Sequence, residues 1–212
     1  MLEPLFNWLE GAGWLVLSGR PDMLSDVRAM ALSRIQADGG IAYIGLDNDD
    51  YDDLIEDVGE LGGPTGYLVN IMTEDDETIR TRLSEAGMIF IPQDYPPETL
   101  KSALVGAALE GVKTAYERGA LVMGEGTSAS LFGVKFMTED GIATDGLNWL
   151  ENAFVTSEDL TEDARVLLET RIANVAISIG EGAALVLGPE GQVERWGEDA
   201  VRIVLGLPPS EN

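Results

Sequence analysis

Along the first two thirds of the chain, short apolar runs alternate with stretches in which apolar residues recur every three or four positions. Trp14-Leu15-Val16-Leu17-Ser18-Gly19 predicts a first buried strand ending in a glycine loop. From Met23 to Ala37, Val27, Met30, Ala31 and Ile35 keep helical spacing, with Asp22 placed to cap the segment and Gly39-Gly40 to stop it. Strands follow at Ile41–Leu46, Gly66–Met72, Met88–Ile91 and Leu121–Met123. Between them the pattern predicts a helix near Leu54–Leu61, another capped by Thr73 with Ile79, Leu83 and Ala86 inward, and a long one from Pro97 to Arg118 carrying Leu100, Leu104, Ala108 and Val112 on one face. Residues 1–13 read as an amphipathic lead-in.

Five strand–helix units in succession imply a parallel sheet with helices on both faces. The last third changes character. A helix over Leu160–Ile172 is flanked by strands at Ala153–Val155, Asn174–Gly180, Ala183–Leu187, Val193–Trp196 and Ala200–Leu205, with a hairpin turn at Gly188-Pro189-Glu190-Gly191. The expectation is one α/β domain over residues 1–212, core about 14–205, in which short antiparallel strands extend the parallel sheet. Ligands of such sheets bind at the carboxyl ends of the strands. Gly19-Arg20, the acidic loop after Leu46, Gln93-Asp94 and the turn after Met123 should therefore share one rim.

Composition narrows the chemistry. The chain has no cysteine and no histidine, so disulfides, thiolate metal sites and a histidine base are excluded from it. Oxygen ligands remain, which suit calcium or magnesium. The run Asp47-Asn48-Asp49-Asp50-Tyr51-Asp52-Asp53 resembles the start of a calcium loop, but Asp52 and Val58 stand where glycine and glutamate are needed, so it reads as a solvated loop or an improvised cation site. No metal or cofactor is expected elsewhere. The net charge of -25 argues against nucleic acid and anionic membranes and toward cationic ligands. With ten arginines and three lysines among the basic residues, such a surface also suits a salty cytoplasm. No apolar run approaches the roughly 20 residues of a membrane span, and Met1-Leu2-Glu3-Pro4 lacks the basic start of a signal peptide. A cytoplasmic location is the expectation.

The candidate chemistry lies in Leu121-Val122-Met123-Gly124-Glu125-Gly126-Thr127-Ser128-Ala129-Ser130. A strand, a tight turn with a serine, then a helix is the layout of a nucleophile elbow, whose strained corner lifts the reactive side chain above the sheet. In Gly126-Thr127-Ser128-Ala129 the serine is placed as a nucleophile, with Ser130 where a second glycine belongs. The same residues also read as an ordinary glycine-rich strand-to-helix turn.

Two stretches carry a family resemblance. Gly126-Thr127-Ser128-Ala129 is similar to the Gly-Thr-Ser-Ala-Gly-Ala nucleophile turn of the cyanophycinase and dipeptidase E serine peptidases. Ala176-Ile177-Ser178-Ile179-Gly180-Glu181-Gly182-Ala183-Ala184-Leu185-Val186-Leu187 resembles that family's Gly-Ile-Gly-Ile-Asp-Glu-x-Thr-Ala-Leu-Val-Val segment, and Gly146-Leu147-Asn148-Trp149 echoes its lead to the catalytic histidine. The resemblance implies a three-layer, flavodoxin-like (class I glutamine amidotransferase-like) fold. It maps the nucleophile to Ser128 and the histidine position to about Glu158. Glu139 or Asp140 would be the acidic partner, with Gly126, Thr127, Ala129, Gln93, Asp94 and Glu181 around the oxyanion and substrate. It further implies a small peptide ligand and a homodimer, to which the acidity adds a cationic small molecule as a candidate ligand.

Three functions follow. One is a pseudoenzyme that keeps the serine but lacks the histidine. Another is a serine hydrolase on aspartyl-type peptides with a carboxylate as base. The last is an acidic cation-binding module.

Overall fold

The computed structural model describes residues 6–20, 26–35, 38–46, 51–93, 95–157, 159–160 and 162–206. In chain order, β1 (Asn7–Trp8) and β2 (Trp14–Ser18) precede α1 (Asp26–Arg34), β3 (Ile41–Gly45), α2 (Asp52–Glu60), β4 (Gly66–Asn70), α3 (Asp76–Ser84), β5 (Met88–Ile91), α4 (Pro97–Leu104), α5 (Ala107–Glu117), β6 (Leu121–Glu125) and α6 (Thr127–Ser130). The last third holds β7 (Lys135–Met137), β8 (Ala143–Asp145), β9 (Leu150–Glu151), β10 (Ala153–Thr156), α7 (Glu162–Glu169), β11 (Val175–Ile179), β12 (Ala183–Leu187), β13 (Val193–Gly197) and β14 (Val201–Leu205).

Seven strands form the central sheet in the order β13-β12-β2-β6-β5-β3-β4. The five that alternate with helices run parallel, as the βα pattern requires. β12 and β13 add to the β2 edge in antiparallel fashion. Strand parity divides the core. Leu15, Leu17, Ile89, Ile91 and Val122 face α3, α4 and α5, while Trp14, Val16, Met88, Phe90 and Met123 face α1 and α2. The result is the expected three-layer α/β sandwich. Trp14, Trp149 and Trp196 are all buried. No helix among the described residues is long and apolar enough to cross a membrane.

Three features depart from the sequence reading. The helix expected over 97–118 is two helices, because Val105 is extended and Gly106 sits at φ 117°, ψ −134°; only glycine reaches that conformation cheaply. The cap of α3 is Asp75 rather than Thr73, its carboxylate accepting from the amides of Glu77 and Thr78. Among the described residues of the lead-in, β1 pairs with β9, tying it to residues 150–151, and Phe6, Trp8 and Leu9 pack against the core. Finally, the last strands do not all extend one sheet. β10, β11 and β14 form a separate three-stranded sheet, in which β10 and β11 are parallel. One core cluster still runs from the central sheet into it through Val175, Ile177 and Ile179.

Candidate active site

Strand order brings the rim together. β6 lies between β2 and β5, so the turns that follow these three strands meet at their carboxyl ends. The amide of Gly126 donates to the carbonyls of Ser18 (3.0 Å) and Gly19 (3.2 Å). The Thr127 hydroxyl donates to the carbonyl of Gln93 at 3.1 Å. On the far side of β2, the Gly182 amide donates to the Arg20 carbonyl at 3.1 Å, which places Glu181, exposed, beside the Gly19-Arg20 turn. The elbow, Gln93, Gly19-Arg20 and Glu181 thus share one edge of the molecule. Asp94, Glu158 and residues 47–50 of the acidic loop lie outside the described residues.

The corner between β6 and α6 is Gly126, at φ 55°, ψ −123°. This is the strained position of a nucleophile elbow, the one from which a side chain would point off the end of the sheet. Here it has no side chain. A Cβ placed on Gly126 would lie 2.5 Å from Gln93 Oε1 and 2.8 Å from Gln93 Cβ. Gln93 therefore fills the space in front of the corner.

Ser128 lies two residues further on, inside α6, with no solvent exposure. Its Oγ is 2.7 Å from the carbonyl of Ile91 and 2.8 Å from that of Glu125, and its single proton serves these two acceptors. A hydroxyl so held ties α6 down to β5 and β6; it does not face the rim. Ala129 is likewise fully buried in the core. Of the sequence candidates, Gly126, Thr127, Gln93 and Glu181 stand at the rim, while Ser128 and Ala129 stand beneath it. Glu139 and Asp140 are exposed in the turn between β7 and β8.

One group was not foreseen. Glu125, the last residue of β6, is 1% exposed. Its two oxygens accept from Nε (2.9 Å) and an Nη (2.7 Å) of Arg28 on α1. The other Nη of Arg28 reaches Asp57 of α2 at 2.5 Å. Burial disfavours the Arg28 charge, but the bonds and charges of Glu125 and then Asp57 outweigh it and raise its pKa above the ordinary value. The same surroundings push the Tyr43 phenol up to about 12, through burial first, with Arg28 opposing and Asp57 adding. The signal was a glutamate closing an apolar strand and an arginine next to Val27 on the inward face of a helix. Among the described residues no cluster of three or more acids could hold a metal ion.

Comparison with known proteins locates the fold. No family model and no curated protein matches the sequence. Among solved structures, a peptidase from an acI-B1 actinobacterium superposes with a TM-score of 0.76 at 18% identity, covering 94% of each chain. A candidate peptidase E protein from Listeria monocytogenes EGD-e superposes with a TM-score of 0.65 at 13% identity, covering 88% of this chain and 99% of that one. The chain has the peptidase E-like fold.

Proposed function

We propose that this protein is a non-catalytic, binding variant of the peptidase fold. The observation that carries the reading is glycine at the strained corner, with Gln93 filling the space where a nucleophilic side chain would stand. Covalent acyl transfer needs a hydroxyl or thiol at that corner and a base beside it. Gly126 supplies neither, and the chain holds no histidine to act as base. Ser128 is buried and engaged with backbone carbonyls. What the rim retains suits recognition rather than cleavage. It has the exposed carboxylate of Glu181 and the Gln93 amide, on a chain whose excess acidity favours a cationic small molecule or an arginine-bearing peptide.

The competing reading is a serine hydrolase in which Ser128 reacts with a carboxylate such as Glu158 as its base, and the peptidase-like fold is its support. Labelling with a fluorophosphonate, read by intact mass, separates the two. Expected is no adduct on the wild type, on Ser128→Ala or on Gly126→Ser. A stoichiometric adduct on the wild type that vanishes in Ser128→Ala would overturn the proposal.

A further inference from the structure

One acidic side chain beside the rim lacks the partner that its burial demands. Glu98 lies in the first turn of α4, which opens directly after the turn that carries Gln93 and packs against the elbow helix α6. Leu100 and Leu104 hold α4 in the core. Glu98 itself is half-buried. One of its carboxylate oxygens, Oε2, is closed off from solvent and has no hydrogen-bond partner among the described residues. A carboxylate oxygen out of water without a donor is costly, and the large majority of such groups in folded proteins have one.

The neighbours that would ordinarily satisfy it are absent or engaged. A glutamate in a first helical turn commonly bonds a free amide of that turn. Pro96 and Pro97, the cap and first residue of α4, carry no N–H. The Ser102 hydroxyl, one turn on, donates to the Glu98 carbonyl at 2.8 Å rather than to the carboxylate. Lys101, three residues on, does not bond Oε2. Nor is this a place for a metal ion, since no group of three or more acids among the described residues could hold one.

What fits is a donor from outside the chain. We propose that Glu98 accepts an N–H of a small organic cation, an ammonium or guanidinium group, bound at the rim. The inference rests on the reading of the rim as a recognition surface, and it names the residue that recognises the charge. Glu181 is exposed, so a pair formed there competes with water and is screened by salt. Oε2 is already dry. A hydrogen bond to it is therefore stronger, and the acidity of the chain draws the cation in. The cation must carry a hydrogen, because charge alone leaves the oxygen without a donor.

Proton–nitrogen correlation spectra of the full chain test this, titrated at constant ionic strength with methylammonium, methylguanidinium and tetramethylammonium. Saturable shifts at the amides of Glu98, Thr99 and α6 are expected with the first two, and the tighter of them separates an ammonium from a guanidinium ligand. Tetramethylammonium has the charge but no N–H and should bind at least about tenfold more weakly. Glu98→Gln should weaken the N–H cations by a similar factor. Glu98→Met, without added cation, should melt no lower than the wild type, since it removes an unbonded group. Shifts that persist undiminished in Glu98→Gln, or tetramethylammonium binding as tightly as the others, would overturn the inference and leave the recognition reading standing. No saturable shift with any of the three would remove the inference and the cationic ligand together. A Glu98→Met that melts several degrees lower would reveal an internal partner for Oε2 and overturn the inference as well.

Discussion

Two polar groups are buried on opposite sides of the same turn, and they are held in opposite ways. On the α4–α5 side of the sheet, the Ser128 hydroxyl is neutral and is satisfied by backbone carbonyls that the strands hold in place. On the α1–α2 side, the Glu125 carboxylate is charged and depends on a guanidinium that reaches in from another element. Losing a neutral partner costs one hydrogen bond's worth of desolvation. Losing the counter-charge leaves an ion in a region it would not enter alone. The elbow thus rests on one support that tolerates damage and one that does not.

The largest expected effect is accordingly Arg28→Ala, which takes the guanidinium away from the buried Glu125 carboxylate. It should lower unfolding stability by about 3–5 kcal/mol in a denaturant titration. Changing both Arg28 and Glu125 to methionine should recover part of that loss, since the buried carboxylate goes with its counter-charge while Asp57 still loses its bond to Arg28. An Arg28→Ala cost near that of an exposed pair would remove the contrast. Ser128→Ala should cost only about 1 kcal/mol, since it deletes one donor. A loss as large as that of Arg28→Ala would mean that the hydroxyl carries more than its two carbonyls.

The smallest effect concerns Tyr116, fully buried beside Trp149 at 5.2 Å between ring centroids, whose hydroxyl has no hydrogen-bond partner among the described residues. Tyr116→Phe should leave stability at neutral pH unchanged or raise it by up to about 1 kcal/mol. Burial pushes this phenol up to about 12, as it does Tyr43. With the folded pKa above the unfolded value, the folded chain holds protons that the unfolded chain gives up. Stability should therefore fall as pH rises from about 10 through 12. Tyr116→Phe should shallow that fall, and an identical alkaline profile would contradict the assignment.

Most of the central sheet was legible because its strands are short and apolar and are bounded by glycine or proline, and because parity then sorts Leu15 from Trp14. The break at Val105-Gly106 was hidden because Leu100, Leu104, Ala108 and Val112 keep helical phase across it. The elbow was legible as a shape but not in its frame. Gly124-Glu125-Gly126 and Gly126-Thr127-Ser128 overlap by one residue, and only the positive φ of Gly126 decides which residue is the corner. The Glu125–Arg28–Asp57 cluster joins a strand to two helices distant in sequence. Its charges meet only once the order of strands is known, which no local pattern encodes.

Gln93 also limits what substitution at the corner can achieve. A Gly126→Ser exchange would not by itself rebuild a reactive corner, because the new Cβ would meet the Cβ of Gln93, part of the stiff base of that side chain rather than its movable tip. The crowding would come before any reactivity. A side chain at position 126 and a glutamine at 93 compete for the same space. The turn after β5 therefore sets what the corner can carry, and the limit on position 126 lies in the neighbouring loop, not in the corner itself.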